Sequence, residues 1–110
     1  MIMTLSGLET LLKTVTPDVY HFEAEKAQPP YIVYSEYRKN LMHADNKPKT
    51  GMLRVQVECY TKNRKDPAAG QVESLMAENE IPYRYMVSYD PDMRLVRHLF
   101  DCEVKADGQL

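Results

Sequence analysis

Met52-Leu53-Arg54-Val55-Gln56-Val57-Glu58-Cys59-Tyr60-Thr61-Lys62 is the stretch on which the fold turns. Leu53, Val55, Val57 and Cys59 alternate with Arg54, Gln56, Glu58 and Tyr60. A side-chain period of two is what a strand with one buried face requires. Downstream, Asp66-Pro67 opens a helix: Asp is a good N-cap, and Pro at the first helical position lacks a donor that would go unpaired there. Ala68, Ala69, Val72, Leu75 and Met76 form its apolar stripe, and Asn79-Glu80 with Pro82 stop it.

Two further strands follow. Tyr83, Tyr85, Val87 and Tyr89 alternate with Arg84, Met86 and Ser88, a series expected to pack inward. Asp90-Pro91-Asp92 makes a tight turn. Val96, His98, Phe100, Cys102 and Val104 then share one face, opposite Arg97, Asp101, Glu103 and Lys105.

Upstream, Pro29-Pro30 forces extended backbone into a strand at Tyr31–Tyr37. Before it, Val19, Tyr20 and Phe22 suit a short strand or an extended segment tucked under the sheet. The first helix is expected over Thr4–Thr16, with Thr4 as N-cap, Leu5, Leu8, Leu12 and Val15 as its stripe, and Pro17 as its end. Residues 40–51 hold His43, Asp45, Lys47, Pro48 and Lys49 among few apolar side chains, and read as a long exposed loop or the tip of a hairpin. Residues 106–110 look frayed.

The expected fold class is α+β: an antiparallel sheet of four to five strands with two helices on one face, in the order α-β-β-(β)-α-β-β. At 110 residues the chain, 1–110, fits a single domain. With 44% hydrophobic and 27% charged residues it is far from a disordered composition. A net charge of -2 gives no global drive toward nucleic acid or anionic lipid. No apolar run approaches the roughly 18–20 residues that cross a bilayer, and Met1-Ile2-Met3-Thr4 lacks the basic flank and apolar stretch of a signal peptide.

Candidate chemistry is sparse. Cys59 and Cys102 stand far apart, match no zinc or redox spacing, and are expected to be reduced core thiols in a cytosolic setting. His98 could be a tuned base, or a half-buried His with one satisfied hydrogen bond. His21 and His43 have no ligand-spaced partner, so no metal is expected. The four glycines form neither a P-loop nor a dinucleotide fingerprint, so no cofactor and no catalytic residue is assigned. Basic side chains gather in two places: Arg38, Lys39, Lys47 and Lys49 around residues 40–51, and Lys62, Arg64 and Lys65 before the second helix. They read as a solvated edge that resists aggregation or as a basic rim facing DNA or an acidic partner.

The succession of a capped short helix, Pro30-Tyr31-Ile32-Val33-Tyr34, a long polar stretch, Val55–Lys62, Asp66-Pro67 with its helix and a terminal hairpin resembles the small tail-terminator and tail-completion proteins of long-tailed phages and prophages. The likeness is one of layout over Thr4–Lys105, without an invariant motif. It implies a structural protein, not an enzyme. Such a protein forms a homo-oligomeric ring, typically a hexamer, that caps the tail tube and joins it to a neck or head-completion protein. The implied setting is the bacterial host cytoplasm during assembly and then the virion tail or neck, with no membrane. Arg38, Lys39, Lys47, Lys49, Arg54, Tyr60, Lys62 and Arg64 are the candidate interaction surface, and the basic ones could line a lumen through which DNA passes. The slightly negative net charge would confine any DNA-facing surface to a local patch. The alternative is a stand-alone ferredoxin-like module that binds nucleic acid or a small ligand, stacking bases on Tyr31, Tyr83, Tyr85 or Tyr89.

Overall fold

A computed structural model describes residues 3–44 and 47–106, with the backbone alone for 40–50. The chain forms α1 (Leu5–Leu12), β1 (Val19–His21), β2 (Tyr31–Ala44), β3 (Lys47–Thr61), α2 (Pro67–Glu78), β4 (Tyr83–Asp90) and β5 (Leu95–Lys105). The five strands make one sheet in the order β1-β2-β3-β5-β4. The class is α+β, as the sequence implies, and the sheet is mixed: β1 pairs parallel with β2, while every other pair is antiparallel. β3 and β4 both run against β5, so α2 carries the chain over the strand that later fills the gap between them.

Both helices cover the same face. Leu8 and Leu12 of α1, with Ala68, Val72, Leu75 and Met76 of α2, share one core with Ile32, Tyr34, Val55, Val57, Cys59, Phe100, Cys102 and Val104. The caps are as read: Thr4 Oγ1 accepts from Gly7 N–H at 3.1 Å, and Asp66 Oδ1 from Ala68 N–H at 2.9 Å. α1 stops at Leu12, short of the expected Thr16. Its last turn tightens there, with Thr14 and Val15 N–H bonded three residues back and the Thr14 hydroxyl donating to Leu11 O at 2.6 Å.

Three expectations are corrected. Residues 40–51, expected as a long exposed loop, continue as paired backbone with Asn40 opposite Met52, Leu41 opposite Gly51 and Ala44 opposite Lys47. The hairpin-tip reading is therefore right in kind, with Asp45 and Asn46 outside the described residues. Strands of 14 and 15 residues outrun the rest of the sheet, and the radius of gyration is 14.7 Å where about 13 Å is usual at this length.

The sheet is also not one-sided. Tyr31, Val33 and Leu95 form a second buried cluster on the far face, roofed by Ala24 and Ala27 of the connector that follows β1. Finally, the β4 series does not pack inward as a whole. Tyr83 is half-buried against the core, but Tyr85, Val87 and Tyr89 are 37%, 39% and 59% exposed. β4 is the last strand of the sheet, beyond β5, and Tyr83 is its one partly buried apolar side chain packed against the helix-covered core. Of the end expected to fray at 106–110, Ala106 is instead buried with its N–H donating to Gly51 O at 2.9 Å, and residues 107–110 lie outside those described.

Candidate interaction surfaces

The face turned away from the helices is built by the outward half of each alternation. Arg54 stands opposite Glu103, Gln56 opposite Asp101, Glu58 opposite Leu99 and Tyr60 opposite Arg97. A register shift between Glu36 and Arg38 marks a bulge at Tyr37 that turns its ring onto this face. Two ion-pair clusters result. Arg54 Nη2 lies 3.1 Å from Asp101 Oδ1 and its Nη1 3.8 Å from Glu103, while Tyr37 donates to the same Asp101 at 2.8 Å. Further along, Arg97 pairs with Glu58, which also accepts from Tyr60 at 3.0 Å. The Tyr60 ring stacks on Tyr31 at 4.9 Å between centroids. Burial, then the neighbouring Glu58 carboxylate, pushes the Tyr60 phenol up to about 12.

On the helix side, His98 is fully buried and bonded at both ring nitrogens. Nδ1 lies 2.8 Å from Tyr85 Oη and Nε2 3.1 Å from Thr61 Oγ1. The Thr61 hydroxyl donates to Asn63 O at 2.7 Å, so its oxygen is left to accept from Nε2–H. Nδ1 is then an acceptor and Tyr85 the donor. The ring is a neutral Nε2–H tautomer, and burial followed by the Arg64 charge holds its pKa below the ordinary value. The sequence offered a tuned base or a His with one hydrogen bond. The structure gives a His with two, inside a relay from the sheet edge to the start of α2. A cleft of about 350 Å³ opens beside it, lined by Arg64, Asp66, Glu73, Tyr85 and Phe100.

The predicted surface residues divide along β3. Arg38 faces Arg54 across the β2–β3 pair, and Lys39 projects to the opposite face beside Leu53. Lys62 and Arg64 are exposed at the other end of β3. Eight residues separate Arg54 from Lys62, roughly 26 Å of strand. The basic groups therefore form two separate sites, and Arg54 is already neutralised by Asp101 and Glu103. The side chains of Lys47 and Lys49 lie outside the described residues. Tyr37, Glu58, Asp101 and Glu103 were not singled out from sequence. Their outward phase was legible, but the β3–β5 adjacency that brings them together was not.

Among the tyrosines named for base stacking, Tyr31 is buried, whereas Tyr85 and Tyr89 are exposed. Cys59 and Cys102 are free and buried, as expected. Cys59 sits opposite His98, four residues from Cys102 and about 13 Å away along β5, beyond disulfide reach. Among the described residues, no group of three or more His, Cys, Asp or Glu is placed to hold a metal ion, and no helix is long and apolar enough to cross a membrane.

No protein-family model matches this sequence, and a search of curated proteins finds no match.

Proposed function

We propose that this chain is a structural tail-completion protein of a long-tailed phage or prophage, capping the tail tube and joining it to the head as a homo-oligomeric ring. The observation that carries the reading is the β2–β3 hairpin, whose strands run past their neighbours: among the described residues no third strand pairs with β2 beyond Tyr34 or with β3 before Met52. A projecting strand pair offers hydrogen-bonding edges that an adjacent subunit can use, which is a common means of joining copies. The layout of the elements along the chain, which carries the resemblance to tail terminators, supports the same reading.

In this reading the subunit makes and breaks no covalent bond. Its helix-covered core is a scaffold, and its partners are copies of itself, the last ring of tail-tube protein and a neck or head-completion protein. A head-to-tail ring needs two different, complementary patches on each subunit. The exposed Arg38 and Lys39 of β2, opposite the middle of β3, and the exposed Lys62 and Arg64 just past the end of β3 supply separated charge for two such patches or for passing DNA.

Tube assembly tests the reading. Tail-tube protein encoded beside this chain, polymerised in its presence and viewed by electron microscopy, should give tubes of bounded length with a ring at one end. Tubes that grow equally long with and without the chain, and bare at both ends, would overturn it.

A further inference from the structure

The outer edge of β4 differs from the other edge of the sheet. β1 has three residues, short enough to be a poor template. β4 has eight, pairs with β5 without a register shift, and holds neither Pro nor Lys between Tyr83 and Asp90. Of the devices that usually keep an edge from pairing, β4 has only the charges of Arg84 and Asp90 near its two ends. Along it Tyr85, Met86, Val87 and Tyr89 are 37%, 49%, 39% and 59% exposed. Among the described residues only β5 pairs with β4, and contiguous apolar exposure beside an unpaired strand edge marks a contact site.

We propose that β4 pairs antiparallel with β4 of a second copy of this chain, about a two-fold axis at Val87, joining two five-stranded sheets into one. Charge selects this occupant and this register. With Val87 opposite itself, Arg84 of each copy faces Asp90 of the other, Tyr85 faces Tyr89, and Met86 faces Ser88. Both ends of the contact then carry opposite charges. Pairing about Met86 instead would set Arg84 against Ser88 and Asp90 against Pro82, and compensate neither.

Both charged groups are placed for it. Arg84 is exposed, and its neighbour on β5 is Asp101, already engaged by Tyr37 and Arg54. Asp90 accepts from the N–H groups of Asp92 and Met93 through Oδ1 alone, which leaves Oδ2 for the second copy. Such a contact is isologous and closes at two copies. It is distinct from the head-to-tail contacts of a ring, concerns the free chain, and does not rest on the tail-cap reading.

Cysteine cross-linking tests it, because both native thiols are buried. On mild oxidation Val87→Cys should run chiefly as a disulfide-linked pair on a non-reducing gel. Directly opposed residues in antiparallel strands have Cα atoms about 4.5–5.5 Å apart, within disulfide range. Tyr89→Cys, whose two copies would lie about 13 Å apart or more, should stay unlinked. Arg84→Glu should weaken self-association at least tenfold in sedimentation equilibrium.

Met86→Cys linking in preference to Val87→Cys, or Tyr89→Cys linking equally well, would overturn the register. A wild-type chain that stays monomeric would overturn the pairing. A six-copy assembly without Val87 linkage would overturn this proposal and leave the tail-cap reading standing.

Discussion

The hydroxyl of Tyr85, on the exposed edge strand, donates to Nδ1 of His98, a fully buried side chain of the neighbouring strand, at 2.8 Å. Through His98 and Thr61 the edge is tied to the loop that starts α2. The apolar edge is thus anchored to the interior at one point by a neutral imidazole.

That neutrality has a pH signature. The His98 pKa is lowered in the fold, so the unfolded chain takes up a proton first as pH falls. Stability from this group is therefore complete above the unfolded value of about 6.5 and declines as pH drops from there toward the folded pKa. Urea midpoints measured from pH 8 to 5 should fall below pH 6.5, and the fall should be smaller in His98→Gln. Tyr85→Phe strands the buried Nδ1 acceptor and should cost about 1–2 kcal/mol at pH 7.

Asp101 holds Tyr37 and Arg54 together on the outer face. Asp101→Ala should destabilise by about 1–2 kcal/mol, since it removes a charge-assisted bond and leaves Glu103 as the one carboxylate beside Arg54 among the described residues. A double-mutant cycle of Tyr37→Phe with Asp101→Ala should give a coupling of about 0.5–1 kcal/mol. Additivity within error would show that the bridge contributes nothing.

Much of this was legible in the sequence, and the reason is local. Alternation over Leu53–Cys59 set the buried face, and Thr4 and Asp66 cap the helices from their own side chains. What failed was decided at long range. Residues 40–51 lack apolar content, yet each half of the segment supplies a strand partner for the other. β1 is drawn into parallel pairing by β2. The alternation of β4 gave its phase correctly, but its place at the sheet edge depends on β5 inserting beside β3, which no local pattern reports. The ion pairs of the outer face were missed for the same reason.

The end of α2 carries a correctable cost. Glu80 has φ 55, in the left-handed region, while Ile81 N–H bonds back to Met76 O at 2.9 Å. This is the helix-ending geometry that glycine adopts without steric penalty. Glu80→Gly should raise stability by about 0.5–1 kcal/mol in thermal or urea unfolding. A loss of stability would mean that the Glu side chain supports the turn.

Burial pushes the thiols of Cys59 and Cys102 up to about 12. Neither is then a thiolate at neutral pH. A chromogenic thiol reagent should titrate no cysteine in the native protein and both in 6 M guanidinium. Rapid native labelling of Cys102 would show that the sheet opens between β5 and its neighbours.

Each proposed contact uses surfaces outside the helix-covered core to meet copies of the same chain. Sedimentation velocity of the unmodified protein across a wide concentration series tests this most directly. The proposed self-association predicts species heavier than the 12.8 kDa subunit whose share rises with concentration. A single 12.8 kDa species at every concentration would contradict it.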